Sequence, residues 1–464
     1  MGMTLKELLT KGEGTLSAQE AKTLAAQCRM DVETLYTLLE ERGIKIIEDE
    51  ADADVNLDVD SIIAEVEKIT SIDQILTGAN PGNITLLGEE FDEIYLNKVH
   101  TLSLSPESVG KFHDMKIAYT PLHGAGVRLV PASLRKWGFT NVSLVEEQAV
   151  IDGNFPTVES PNPEERKTMA KAIELGSRLG ADLVLATDPD SDRIGVALRN
   201  AKGEYVLLNG NQTLSLIMAY QLTRWSELGR LDGKEFVVKT IVTSQMPNVM
   251  AAHFGVKCYD CLTGFKYIAR IIRNNEGKAT YIGGGEESFG YLAGDFVRDK
   301  DAVSACSLVA EAAAWTRDTM GLTLYEWLQK LYVEFGFFRE GLVSVVRKGM
   351  EGAAEIQQMM VDYRADPPRE IAGSPVVKIN DFKLLESTDV RTGAKTPIEE
   401  EASNVLQWFA ADGTVVSVRP SGTEPKIKFY FGVRAELESV ADFDRVEVGL
   451  DAKIETIKKE LKLV

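Results

Sequence analysis

From about residue 106 to residue 285, short β-branched runs alternate with helix-like stretches. MKIAYT, NVSLVE, ADLVLATD, EFVVKTIV and KATYIGGG are each separated from the next by a helical pattern. Such alternation predicts parallel sheets in α/β domains, with the functional loops at the carboxyl ends of the strands. After LTLYEWLQKLYVEFGFF the pattern changes. Leu324, Leu328, Leu331 and Phe335 recur at helical spacing and are expected to form a core stripe. The rest of the chain carries SVVRKG, VVKIND, VVSVRP and KIKFYFGV around two helices, which predicts a separate α+β domain. The first 60 residues differ again, with fourteen acidic side chains against six basic ones and the acid run EDEADAD at 48–54. They are expected to form a small helical module with an acidic tail, the run itself reading by default as a solvated linker. At roughly 150 residues per domain, 464 residues allow about three domains.

Composition narrows the partners. A net charge of -20 and a pI near 4.8 argue against direct nucleic-acid binding, which needs clustered Lys and Arg to replace counterions on phosphates. Small anions can still enter a local basic pocket. No apolar run approaches the ~18 residues of a membrane span, and MGMTLKELLTKGEG lacks the apolar core of a signal peptide, so no membrane role and a cytoplasmic location are expected. Of the cysteines Cys28, Cys258, Cys261 and Cys306, only Cys258 and Cys261 form a C-x-x-C, and neither a second pair nor a nearby histidine completes a zinc site.

Three segments carry chemistry. ATDPDSDRIG, 186–195, follows the apolar run ADLVLA and sets Asp188, Asp190 and Asp192 at alternate positions. Alternate residues of a tight loop can point at one ion, and three carboxylates suit a hard divalent cation that also meets a substrate phosphate. An EF-hand would need Gly at loop position six and Glu at position twelve, where Arg193 and Arg199 stand. A solvated turn is the competing reading. It is disfavoured because a buried strand feeding directly into three acids and an arginine is costly without a counterion.

GGGEESFG, 283–290, follows another expected strand and places Glu286, Glu287 and Ser288 on a loop at its carboxyl end. Acidic acceptors there can bind sugar hydroxyls, though a glycine-rich turn capping a helix explains the segment nearly as well. VRDKDA nearby groups Arg298, Asp299, Lys300 and Asp301, by default a surface ion-pair cluster. In VRPSGTEPKIKFY, 418–430, Arg419, Ser421, Gly422 and Thr423 occupy a turn between two strands, where a guanidinium, two hydroxyls and free N–H groups make a phosphate grip. A plain Pro-Ser-Gly turn is the alternative.

Together these segments resemble the α-D-phosphohexomutase family, the phosphoglucomutases and phosphomannomutases, from about residue 58 to the end. The likeness is greatest to bacterial phosphoglucomutases of the type with EESFGYL followed by VRDKDA. The resemblance implies that Asp188, Asp190 and Asp192 bind Mg²⁺ and that Arg193 adjoins the reacting phosphate. It also implies that Glu286 and Ser288 hold sugar hydroxyls, with Lys300 close by, and that Arg419, Ser421, Gly422 and Thr423 grip the distal phosphate. TPLHGAG (120–126) and LTGFKYI (262–268) also match, offering His123 and Lys266 as phosphate-side or proton-transfer groups.

The family transfers phosphate through a phosphoserine in a loop close to T-A-S-H-N-P, and none of His100, His113, His123 or His253 lies in such a context. Only the closing part of that first domain, DSIIAEVEKITSIDQIL, is recognisable. The preceding segment, ending GIKIIEDEADAD, resembles the acidic N-terminal region of primary bacterial sigma factors. The expected organisation is a helical module at 1–57, a first-domain remnant and linker at 58–105, α/β domains at 106–205 and 206–330, and an α+β domain at 331–464. The expected function is binding and 1-phosphate to 6-phosphate interconversion of hexose phosphates, with hexose 1,6-bisphosphate as a further ligand. The alternative is a silent sugar-phosphate sensor whose N-terminal module docks on a protein partner such as RNA polymerase.

Overall fold

The computed structural model describes residues 14–17, 44–47, 64–74, 84–347, 349–421 and 425–463. The chain divides into two units, Met1–Leu87 and Gly88–Val464. In the first, strands β1 (Gly14–Ser17) and β2 (Ile44–Ile47) pair in parallel, and a short 3₁₀ turn spans Ile72–Gln74. The helices expected in 1–57 lie outside the described residues. No described helix is long and apolar enough to cross a membrane.

The second unit opens with helices α1 (Glu89–His100) and α2 (Pro106–Lys111). A five-stranded sheet follows, in the order β4 (Val142–Leu144), β3 (Ile117–Thr120), β5 (Leu183–Thr187), β6 (Ile194–Arg199), β7 (Tyr205–Leu207). The chain leaves β3 through α3 (Gly126–Trp137) to the parallel edge strand β4, then returns through α4 (Ala170–Leu179) to β5 on the other side of β3. Because these crossovers run in opposite directions, the two helices cover opposite faces. Strand alternation agrees: Ala118, Val184 and Ala186 pack with α4, while Ile117, Tyr119 and Leu185 face α3. The carboxyl ends of β3 and β5 therefore open a crevice, the usual ligand position of such sheets.

A second sheet repeats the plan in the order β9 (Lys257–Cys261), β8 (Glu235–Thr240), β10 (Thr280–Gly285), β11 (Tyr291–Ala293). Helix α5 (Gly210–Glu227) leads into it. α6 (Met246–His253) and α7 (Phe265–Asn275) make the two opposed crossovers around β8. Helix α8 (Ala302–Met320) is buried almost throughout and packs with α3, which its small-residue run permits. Its Glu311 accepts the N–H groups of Leu104 (2.9 Å) and Ser105 (3.0 Å) and the Tyr220 hydroxyl (2.8 Å), fixing the segment before α2.

The expected stripe Leu324, Leu328, Leu331 and Phe335 is buried in α9 (Leu324–Phe335), which starts with a capping box from Thr323 and Glu326. The last sheet is antiparallel, in the order β12 (Phe337–Val346), β19 (Lys426–Ala435), β18 (Val415–Pro420), β17 (Leu406–Ala410), β14 (Ser374–Asp381), β15 (Glu386–Asp389), β16 (Lys395–Pro397), with β13 (Glu370–Ile371) paired to β14. Helices α10 (Gly349–Ala365) and α11 (Phe443–Glu460) belong to this part. Val416, Val418, Phe429 and Phe431 share a core with Ile356, Met360, Leu450 and Ile454 of these helices. The expected fold class, two α/β domains followed by an α+β domain, is the one observed.

Candidate functional site

The crevice of the first sheet is built by two loops. After β3, Gly124 sits so close to Pro189 that a β-carbon there would lie 2.2 Å from the proline Cα. The Ala125 N–H donates to the Pro189 carbonyl (2.7 Å). After β5, the Asp188 Oδ1 accepts the N–H groups of Asp192 (3.0 Å) and Arg193 (2.9 Å), which curls the loop and turns its acids together. Asp188, Asp190 and Asp192 can each offer an oxygen with all three within 4.8 Å of one another.

These carboxylates are short of partners. Asp192 Oδ1 and Ser191 Oγ are buried and find no hydrogen bond among the described residues, the nearest cation to that oxygen being Arg193 Nε at 3.7 Å. Burial raises the Asp188 carboxyl to about 7, and the charges of Asp192 and Asp190 add to it against the opposing hydrogen bond from Arg193. Crowded, under-satisfied carboxylate oxygens of this kind fit a hard divalent cation.

The second sheet contributes the loop after β10. The Glu286 Oε1 accepts the Gly264 N–H (2.8 Å), and its Oε2 lies 3.5 Å from the Ser288 hydroxyl. Glu287 Oε2 accepts the hydroxyls of Thr240 (3.0 Å) and Thr243 (3.3 Å), which stand at the carboxyl end of β8. Burial and the Glu286 charge raise the Glu287 carboxyl above the ordinary range. Gly210, at the start of α5, lies against this loop: a β-carbon there would be 1.9 Å from the Glu287 carbonyl.

The two loops are joined directly. Arg193 and Gly290 form an antiparallel bridge, and the Ile194 N–H donates to the Phe289 carbonyl (3.0 Å). Lys300 places its ammonium 3.0 Å from Asp192 Oδ2 and 3.0 Å from Asp299 Oδ1. Burial works against that charge, but the bonds to Asp299 and Asp192 outweigh it and raise the lysine. Arg193 is held by Glu164 at 3.0 Å. Leu122, His123, Ser191 and Phe289 all adopt positive φ, so four of the eight non-glycine residues that do so among the described residues lie in these loops. Such strain concentrates where a site fixes the backbone. A cavity of about 580 Å³ opens beside Asp190, lined also by Tyr95, Gly126, Leu129, Ser191 and Lys300, a volume in the range of small-molecule sites. A larger cleft, about 900 Å³, lies between Tyr259, Asp260 and Arg270 on one side and Lys378, Glu399 and Phe409 on the other, and holds none of the site residues expected from the sequence.

Arg419 and Ser421 stand at the end of β18, where the Ser421 N–H donates to the Lys426 carbonyl (2.8 Å). Gly422 and Thr423 lie outside the described residues. His123 is buried in the loop after β3 with both ring nitrogens engaged, Nδ1 with the Val150 carbonyl (2.9 Å) and Nε2 with the Thr157 hydroxyl (2.9 Å). Lys266 is exposed at the first turn of α7, its ammonium 4.9 Å from the Tyr267 ring centre. Cys258 and Cys261 are free; an odd spacing along β9 sends their side chains to opposite faces, and burial pushes both thiols up.

Sequence reading missed Glu164, Thr240 and Thr243. The threonines were within reach of the rule that located the two acidic loops, because they too stand at a strand's carboxyl end.

Comparison with known proteins gives a family for the three domains. Residues 93–203 match the family described as phosphoglucomutase/phosphomannomutase, alpha/beta/alpha domain II. Residues 209–335 match domain III of that family, and 377–448 its C-terminal domain. A phosphoglucomutase of Staphylococcus aureus strain MRSA252 is 33% identical over 417 residues, covering 89% of this chain and 72% of the relative. That of strain N315 is 34% identical over 393 residues, covering 84% and 68%. Two solved structures share the fold. One is described as a candidate phosphomannomutase of Thermus thermophilus (TM-score 0.52, 18% identity, 74% of this chain). The other is pp63/parafusin, a phosphoglucomutase-type phosphoprotein of Paramecium (TM-score 0.52, 16% identity, 80% of this chain). The chain spans 62% of the length of each.

Proposed function

Because the chain belongs to the phosphoglucomutase/phosphomannomutase family, we propose that its three matched domains bind a hexose phosphate for transfer of phosphate between the sugar's 1- and 6-positions. The observation that carries this reading is the Arg193–Gly290 bridge, which makes one cleft of the aspartate loop and the glutamate–serine loop. Two cations, Arg193 and Lys300, stand among seven carboxylates of these loops and their neighbours, Glu164, Asp188, Asp190, Asp192, Glu286, Glu287 and Asp299. A phosphate dianion entering such a field needs additional positive charge.

In this reading Asp188, Asp190 and Asp192 hold Mg²⁺, which when bound offsets the charge on the phosphoryl oxygens. Arg193, braced by Glu164, offers its guanidinium to the same phosphate. Glu286 has one oxygen committed to Gly264 and keeps the other, with Ser288, for sugar hydroxyls. Lys300 holds the aspartate loop to the cleft, and Lys266 is free to approach an anionic substrate. Arg419 and Ser421, with Gly422 and Thr423, receive the distal phosphate. With both ring nitrogens bonded, His123 acts by shaping the loop after β3 rather than by moving a proton.

Binding and turnover separate in the proposal. Phosphoryl transfer through serine needs that nucleophile, and no stretch like T-A-S-H-N-P stands in the 464 residues. The proposal is that this chain binds hexose phosphate and hexose 1,6-bisphosphate but turns them over weakly by itself. The test is conversion of glucose 1-phosphate to glucose 6-phosphate with Mg²⁺ and glucose 1,6-bisphosphate, followed by intact-mass analysis. Binding with little conversion is expected. A second reading, a sugar-phosphate sensor whose acidic N-terminal module docks on a protein partner such as RNA polymerase, rests on the sigma-like segment ending GIKIIEDEADAD and expects no conversion. Fast conversion abolished by Asp190→Ala, with one phosphate added to the protein, would reveal another nucleophile; no binding at all would overturn the proposal.

A further inference from the structure

The stretch 241–245, which follows β8, touches both halves of the site. On one side Thr243 donates to Glu287 of the glutamate–serine loop (3.3 Å). On the other, Gln407 of β17 donates its amide to the Ile241 carbonyl (2.8 Å) and to the Ser417 hydroxyl (2.9 Å). Ser244 and Glu340 of β12 line one small pocket with Tyr430. Ile241 and Val242 pack against Tyr430, which is only 6% exposed.

Strand register places Tyr430 beside Arg419. Arg419 pairs with Lys428 and Ser417 with Tyr430, so the arginine and the tyrosine are diagonal neighbours on one face of the sheet. That register brings the Arg419 guanidinium within electrostatic reach of the Tyr430 hydroxyl. Burial, then the nearby Glu287 and Glu286 charges, keep that phenol neutral by pushing its pKa up, while Arg419 opposes the shift. A half-buried arginine with several rotamers loses conformational freedom when it closes on an anion. A bond to a ring already fixed by packing removes part of that freedom before the anion arrives.

We propose that Tyr430 is a positioning residue for Arg419. Its hydroxyl holds the guanidinium ready for the distal phosphate, and its ring, seated on 241–245, ties that orientation to the loop that receives the sugar. The inference rests on the reading above, in which Arg419 grips a phosphate. It implies that a hexose phosphate is measured by the spacing between two loops held in register, not by two independent subsites.

The test is calorimetric titration of glucose 6-phosphate, with Mg²⁺ present, into the full chain as wild type, Tyr430→Phe, Arg419→Ala and the double variant. Tyr430→Phe keeps the packed ring, so its melting temperature should match wild type, and the comparison then reports the hydroxyl alone. Affinity is expected to fall about tenfold in Tyr430→Phe, the worth of one hydrogen bond to a charged group. In the Arg419→Ala background the same change should have almost no effect, the signature of two residues acting as a unit. Unchanged affinity in Tyr430→Phe, or an equal fall with Arg419 already removed, overturns the inference while leaving the functional reading intact. A wild-type chain that does not bind glucose 6-phosphate overturns both.

Discussion

The sheet holding β3 to β7 and the sheet holding β8 to β11 follow one topology: a first strand, a crossover to an edge, and a return past the first strand. Each presents an acidic loop after its third strand, and the Arg193–Gly290 bridge joins the two loops. They differ in how their carboxylates are satisfied. Around β10, Glu286 accepts a backbone N–H and Glu287 accepts two threonine hydroxyls, so the protein completes the loop itself. Around β5, one buried oxygen of Asp192 lacks a hydrogen bond and Asp188 is pushed toward neutrality by burial and its neighbours. The same architectural position thus serves as a finished scaffold in one domain and as an incomplete ligand set in the other. In the proposed reading the unfinished set is the one completed by a metal ion, and the finished set is the one whose shape the polypeptide holds for sugar hydroxyls.

The largest expected effect probes what the two loops share, a glycine in close contact behind each. Gly210→Ala would drive a methyl into the Glu287 carbonyl and should destabilise the chain by about 3 kcal/mol, as should Gly124→Ala at Pro189, measured by urea unfolding. A tolerated alanine at only one of them would show that one loop moves freely. Next comes the contrast itself. Mg²⁺ at about 100 times its dissociation constant should add about 2.7 kcal/mol to wild-type stability and almost nothing to Asp192→Asn. In metal-free protein that same substitution should change stability by less than about 1 kcal/mol, because relief of a crowded charge offsets the weakened pair with Lys300.

Glu286→Ala should behave differently from Asp192→Asn, costing about 1–3 kcal/mol without any ligand, since it strands the half-buried Gly264 N–H. Equal behaviour of the two variants in metal-free protein would erase the distinction between the loops. The smallest effect is expected at Glu340, which joins the last sheet to 241–245. Burial raises its carboxyl to about 7 from an ordinary 4.5, against the opposing Ser244 hydroxyl and Arg339 charge. Its folded-state pKa lies above the unfolded one, so its contribution is full below about 4.5 and is lost as pH rises through about 7. Glu340→Gln should therefore flatten the melting temperature over that window and exceed wild type above it.

Much of this site was legible in the sequence because strand ends are. Apolar runs ending at Thr187 and Gly285 marked where Asp188 and Glu286 would surface, and both acidic loops stand there. The repeated topology was not legible, because it is set by the order in which strands meet and not by shared residues. Thr240 and Thr243 read as strand formers until Glu287, more than 40 residues on, is folded over them. Tyr430 read as one position of the strand KIKFYFGV, and its place beside Arg419 depends on register across a turn. His123 drew notice from its motif, yet what its ring does is decided by Val150 and Thr157, about 30 residues away. Near the start of the chain, IKII was absorbed into a helical reading although its β-branched run suits the parallel pairing it makes with residues 14–17.

The most direct test of the joined cleft is calorimetric titration of glucose 6-phosphate into wild type and Asp190→Ala, each with Mg²⁺ and with the metal chelated. The account expects binding to wild type that weakens on chelation, and binding to Asp190→Ala that is weak under both conditions. Equal affinity in all four titrations would contradict the claim that the aspartate loop and the sugar loop form one site.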